Sequence, residues 1–197
     1  MMPHDLLKND FLVEVGTEEL PPKALKELLK SFSTTLYREL DNAGLVYDTK
    51  SSQVFASPRR LVARVVDLAA TQPDRAVEKL GPFVAQAFAA DGKPTPAAAG
   101  FAKSNGVDIS QLEHVPSDKG DRLVFRAMEK GRSAKELLPA MVEKALQELP
   151  IPKRMRWGAS RVEFVRPVHW LVMLYGSDVV DCEILGQRAG RITRGHR

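Results

Sequence analysis

Apolar and polar positions alternate in the chain with two different periods. Phe11, Leu12, Val13 and Val15 lie in Asp10 to Gly16, a dense apolar run that predicts a first strand, and Gly16-Thr17 turns the chain. Leu25, Leu28, Leu29, Phe32, Leu36 and Leu40 then recur at helical spacing. They predict one apolar stripe on a helix that follows Pro21-Pro22, runs to about Asn42 and stops at Gly44. Ser51 to Ala56 and Leu61 to Ala70 read as two strands joined by a proline-bearing turn, Ser57-Pro58-Arg59-Arg60. Arg122 to Glu129 reads as another strand. Ser133, with Glu136 three residues on, marks the start of a helix to about Leu149, with Pro139 in its early turns.

Two changes of composition interrupt this order. Residues 73–116 are rich in alanine, glycine and proline and predict an inserted helical segment. Its short helices are expected near Val84 to Ala89, Pro96 to Ser104 and Ile109 to His114, with turns at Asp91-Gly92 and Asn105-Gly106. The second change is at Pro150 and Pro152, where the preceding helix must stop. A basic knot with an aromatic inside it follows: Lys153, Arg154, Met155, Arg156 and Trp157. Arg161 to Tyr175 then predicts a strand ending at Gly176. Ser177-Asp178 makes a short turn and Val179 to Leu185 a second strand. The succession of strands and helices favours an α+β fold: a mostly antiparallel sheet with packed helices, an inserted helical segment and a strand-rich C-terminal part. The opening elements suggest a split β-α-β arrangement. The expected organisation is an N-terminal α+β domain over 1–149, containing the insertion at 73–116, and a strand-rich segment over 150–197 that leads into a further domain.

Composition narrows the chemistry. With 197 residues and 44% hydrophobic content, a sizeable core is possible. A net charge of +4 permits a nucleic-acid partner without requiring one. The single cysteine, Cys182, excludes an internal disulfide and a cysteine-cluster zinc site, and sits in a strand-like run as a small core residue. No apolar run reaches membrane-spanning length and MMPHDLLKND lacks the core of a signal peptide, so a reducing, cytoplasmic setting without membrane contact is expected. No glycine-rich phosphate loop, nucleophile–base pair or metal-ligand spacing stands out, which disfavours an independent small-molecule enzyme. Glu18 and Glu19 would suit an acid–base pair, but their place ahead of Pro21-Pro22 favours a helix-start charge pair. His169, inside a strand, reads as a satisfied core or edge histidine, and His114 as a surface or helix-end residue.

Three cations beside a tryptophan suit phosphate and base contact, and solvated charge or stem packing on the ring is the competing reading. Here a resemblance adds to the reading. FLVEVGTEELPPKAL, SPRRLVARV, IPKRMRWG, FVRPVHWLVMLYG, ILG and RITRGHR occur in an order that resembles the beta subunit of bacterial glycyl-tRNA synthetase, and they span nearly the whole chain. That family's chain is several times longer, so the sequence reads as an amino-terminal fragment ending inside RGHR. The resemblance implies an aminoacyl-tRNA synthetase of two alpha and two beta chains. It uses ATP with Mg, mainly at the alpha subunit, to attach glycine to its tRNA.

No adenylate-forming motif is legible here. The expectation is therefore a noncatalytic portion with scaffold, tRNA-contact and alpha-contact roles, and no catalytic or metal residues. Candidate tRNA contacts are Arg59 and Arg60 in the turn, Lys153, Arg154, Arg156 and Trp157 in the knot, and Arg166, with Arg194 and Arg197 secondary. The resemblance marks these positions, and the roles follow from side-chain chemistry: guanidinium binds phosphate through two bonds and indole stacks on bases. The alternative is a module that contacts only the alpha subunit, its cations meeting acidic residues there.

Overall fold

A computed structural model of the chain describes residues 7–89, 92–151, 153–158 and 161–195. Its elements are β1 (Lys8–Thr17), α1 (Leu25–Asn42), β2 (Asp48–Ser57), β3 (Arg60–Ala69), β4 (Arg75–Phe83), α2 (Val84–Ala87), α3 (Pro96–Ser104), a 3-10 turn (Ile109–Gln111), β5 (Glu113–Val115), β6 (Arg122–Glu129), α4 (Ala134–Gln147), β7 (Met155–Arg156), β8 (Glu163–Phe164), β9 (Val168–Tyr175), β10 (Asp178–Val179), β11 (Glu183–Ile184) and β12 (Gln187–Gly190). The fold is α+β with mostly antiparallel pairing. No described helix is long and apolar enough to cross a membrane.

The chain divides into two compact units, one of residues 1–73 with 132–197 and one of residues 74–131. In the first, seven of the described strands form a sheet in the order β11-β12-β9-β1-β3-β2, with β10 on β9, and β7 and β8 pair separately. β3 lies antiparallel between β1 and β2, so the β1-α1-β2 crossover is split by β3, as the opening elements suggested. The expected 149/150 boundary falls inside this unit, because β9 pairs directly with β1. Strand alternation then divides the side chains between two faces. Phe11, Val13 and Val15 of β1, Leu61, Ala63 and Val65 of β3, and Leu171 and Met173 of β9 join one buried core with α1 and α4. Residues of opposite parity, among them Glu14, Gly16, Arg60 and Trp170, belong to the other face.

The apolar stripe of α1 is buried at Leu28, Phe32, Leu36 and Leu40. Ser133 caps α4, accepting the Glu136 amide at 3.3 Å. Thr35 and Arg38 of α1 donate to Glu148 just beyond α4, at 3.1 and 2.6 Å, which ties the two helices at their polar margin. Cys182 is half-buried and its thiol faces the Met173 sulfur at 3.5 Å.

In the second unit, β4-β6-β5 form an antiparallel sheet. Ala87, Ala98, Ala102, Leu112 and Leu123 make its small core. Gly81 is required here: an added Cβ would lie 2.6 Å from the Phe101 ring.

Several expectations need correction. Residues 75–83 form a nine-residue strand inside the stretch expected to be helical. Ile109 to His114 is a single 3-10 turn followed by β5, where His114 is an exposed strand residue. The expected strand 161–175 is broken before Val168: Pro167 has no N–H to give a ladder, so only 163–164 and 168–175 pair. The strand expected at 179–185 is two short pieces, β10 and β11, while β12 pairs in parallel with β9.

Candidate functional site

The site grows from one row of the sheet. Gly16 in β1 stands opposite Arg60 of β3 on one side and Trp170 of β9 on the other. Lacking a side chain, Gly16 lets the Trp170 indole lie across it, and the Arg60 guanidinium sits over that ring, 5.7 Å from its centroid. One strand step back is Glu14, only 8% exposed although ionisable. A buried carboxylate needs donors, and three converge on its Oε1: the Trp170 indole N–H at 2.7 Å, the Thr193 hydroxyl, and Arg60 at 3.5 Å. Arg60 also donates to the Arg194 carbonyl at 2.7 Å. Residues 191–195, which carry no regular structure, are thereby fastened to the sheet.

A second cluster lies at the end of β1. Glu18 Oε2 accepts from Arg59 at 2.8 Å, and Glu18 Oε1 meets His169 Nε2 at 2.7 Å. The Arg59 guanidinium first, then His169, hold the Glu18 carboxyl below its ordinary range. Backbone bonds fix the geometry: Thr17 N–H to the Arg59 carbonyl, Glu18 N–H to the Pro167 carbonyl and Leu20 N–H to the Pro58 carbonyl. The helix-start reading of Glu18 and Glu19 is corrected, because α1 begins at Leu25, behind the N-cap Ala24, with Glu27 in its first turn. Glu18 instead neutralises Arg59. His169 is satisfied by Glu18, but it is exposed and lies at the start of an interior strand, neither in the core nor at a sheet edge.

Together these residues enclose a cleft of about 930 Å³ lined by Thr17, Glu18, Glu19, Ser57, Pro58, Arg59, Arg60, His169, Trp170, Arg194 and Gly195. Every lining residue belongs to one of four segments that carried the resemblance: FLVEVGTEELPPKAL, SPRRLVARV, FVRPVHWLVMLYG and RITRGHR. Segments far apart in sequence thus converge on one concavity.

The knot stands outside the cleft lining. Lys153, Arg154, Met155 and Arg156 are exposed. Arg154 donates to the Gln147 carbonyl at 2.8 Å and Arg156 pairs with Glu163 across the β7-β8 ladder. Trp157 is half-buried and packs against the main core. Arg166 links knot and cleft, donating to the Glu19 carbonyl at 3.0 Å and approaching the Met155 sulfur at 3.2 Å. It also lines a smaller hollow of about 430 Å³ with Glu18, Glu19 and Pro21-Pro22. Arg197 lies outside the described residues.

The sequence reading missed Glu14, Trp170 and Thr193 as a unit. The legible signal was a glutamate inside an apolar strand, in FLVEVG, where a charge needs a partner. No group of three or more His, Cys, Asp or Glu among the described residues is placed to hold a metal ion. Both Glu18 oxygens are engaged, by Arg59 and by His169.

Residues 11–197 match the family model for the glycyl-tRNA synthetase beta subunit. The chain belongs to the glycyl-tRNA synthetase beta subunit family. It is 55% identical over 188 residues to a glycine–tRNA ligase beta subunit of Tolumonas auensis, covering 95% of this chain and 27% of that one. It is 55% identical over 187 residues to that of Escherichia coli O8, and 54% over 187 residues to that of Salmonella typhi, with the same coverage. The chain spans about a quarter of the length of these relatives.

Proposed function

We propose that the chain is a noncatalytic portion of a glycine–tRNA ligase beta subunit, and that it serves scaffold, tRNA-contact and subunit-contact roles. The intact enzyme attaches glycine to its tRNA with ATP, in an assembly of two alpha and two beta chains. The observation that carries the tRNA role is the exposure of Lys153 and Arg154, just before β7, and of Arg156 within it. Exposed cations at this density suit a phosphate backbone, and they gain affinity by releasing counterions. The family match over residues 11–197 supports the wider role.

Within this reading the seven candidates divide. The knot cations meet phosphate. Arg166 braces the knot against the cleft rim, and Trp157 anchors the hairpin to the core. Arg59 and Arg60, engaged with Glu18 and Glu14, shape the cleft. The second reading, a surface that contacts only the alpha subunit, is favoured by the existing pairing of Arg156 with Glu163. The deciding experiment measures tRNA and alpha-subunit binding by the wild-type chain and by the double variant Arg154→Glu, Arg156→Glu. Loss of tRNA binding with alpha binding retained supports the tRNA role. Unchanged tRNA binding with loss of alpha contradicts it and leaves the interface reading.

A further inference from the structure

The cleft holds a feature that backbone-phosphate contact by the knot does not use. The Trp170 indole lies across Gly16, and the Arg60 guanidinium sits over that ring, 5.7 Å from its centroid. Arg60 is restrained by the Glu14 ion pair and by its hydrogen bond to the Arg194 carbonyl. A guanidinium restrained in this way is a platform for a base, since unpaired bases stack on arginine as they do on aromatic rings. Around the platform lie groups without partners among the described residues: the Arg194 guanidinium, the Ser57 hydroxyl and the Glu19 carboxylate. Arg194 and Ser57 donate, which suits a phosphate. Glu19 accepts, which suits a ribose hydroxyl or an exocyclic amine. The Arg59–Glu18 and Arg60–Glu14 pairs largely cancel, so the cleft is not a general sink for polyanions. The volume, about 930 Å³, lies within the range of roughly 300–1,000 Å³ usual for small-molecule sites.

We infer that this cleft binds an unpaired, phosphate-bearing RNA nucleotide, its base stacked on Arg60 and its phosphate held by Arg194 and Ser57. The inference rests on the tRNA-contact reading and adds to it a site for a single splayed nucleotide, separate from the knot.

The test uses a 5′-phosphorylated single-stranded RNA tetranucleotide, the same oligomer without its phosphate, an RNA duplex and a poly-aspartate peptide. Each is titrated against the 197-residue chain by calorimetry and tryptophan fluorescence. The phosphorylated single strand should bind best. Substituting Arg194→Ala should weaken it roughly tenfold, as expected for a lost hydrogen bond to a charged group, and removing the terminal phosphate should weaken it less, because three phosphodiesters remain. Ser57→Ala should weaken it less. Arg60→Lys keeps the charge and removes the plane, and should lower affinity with or without the phosphate. Thermal unfolding of each variant checks that the fold is intact, and Arg194, exposed and making no side-chain bond among the described residues, tests the site even if Arg60→Lys unfolds. In the Arg154→Glu, Arg156→Glu background, Arg194→Ala should still weaken the tetranucleotide by the same factor, because the cleft and the knot are separate sites. Equal affinity of Arg194→Ala and wild type would overturn the inference, as would Arg194-dependent binding of poly-aspartate in place of RNA. If whole tRNA binds through the knot while the tetranucleotide does not bind, the cleft inference alone fails. If neither binds, the tRNA-contact reading fails with it.

Discussion

Trp170 lies across Gly16 so closely that a Cβ built on the glycine would fall within 2.0 Å of the indole. No side chain fits there without moving the ring, and moving it breaks the Trp170 bond to Glu14 and the Arg60 contact above. Gly16→Ala should therefore destabilise the chain by about 1–3 kcal/mol, the usual cost of overpacking. Denaturant unfolding measures it, and an unchanged midpoint would show that the indole moves freely.

Glu14 is the buried acceptor of the same network. Glu14→Ala leaves the Trp170 indole N–H without its acceptor and removes the carboxylate partner of Arg60, and should cost about 2 kcal/mol, within the range for an orphaned buried donor. Glu14→Gln retains an acceptor oxygen and should cost less. The cleavage rate at the 191–195 segment under limited proteolysis should rise in Glu14→Ala, because Thr193 loses its acceptor.

Glu18 gives the cleft an acid limit. Its carboxyl lies below the ordinary value of 4.5 because of Arg59 first and His169 second. A depressed folded value means that the ion pair stabilises fully above about pH 4.5 and that this stability is lost as pH falls through the lowered value. Asp10, lowered mainly by Arg64, and Asp178, lowered mainly by Lys135, act in the same direction. Glu18→Gln should flatten the acid limb of unfolding midpoint against pH.

Ser133 is the N-cap of α4 in both sequence and structure. Ser133→Ala should cost about 1 kcal/mol, a typical N-cap value, and Ser133→Asp should restore most of it. Thermal unfolding distinguishes the two.

What was legible in the sequence was what local periodicity controls. The α1 stripe, the paired strands around Pro58 and the Ser133 cap depend on residues within one element of each other. Pairing across long separations was not legible. The nine-residue β4 is extended because β6 gives it a ladder some 45 residues away, which overrides a composition suggestive of turns and helices. Glu18 looked like a helix-start residue because its partners, Arg59 and His169, are 41 and 151 positions distant. The individual cations of the candidate set were visible, but their partners (Glu18 for Arg59, Glu14 for Arg60, Glu163 for Arg156) and their degree of exposure were a matter of tertiary contact.

The most direct test of the tRNA role is the salt dependence of tRNA affinity for this chain, with and without the two knot substitutions. The logarithm of affinity should fall linearly with the logarithm of salt concentration. Arg154→Glu, Arg156→Glu should weaken binding and reduce that slope by about 2, near one per phosphate contact removed. An unchanged slope and affinity in the double variant would contradict the role assigned to the knot.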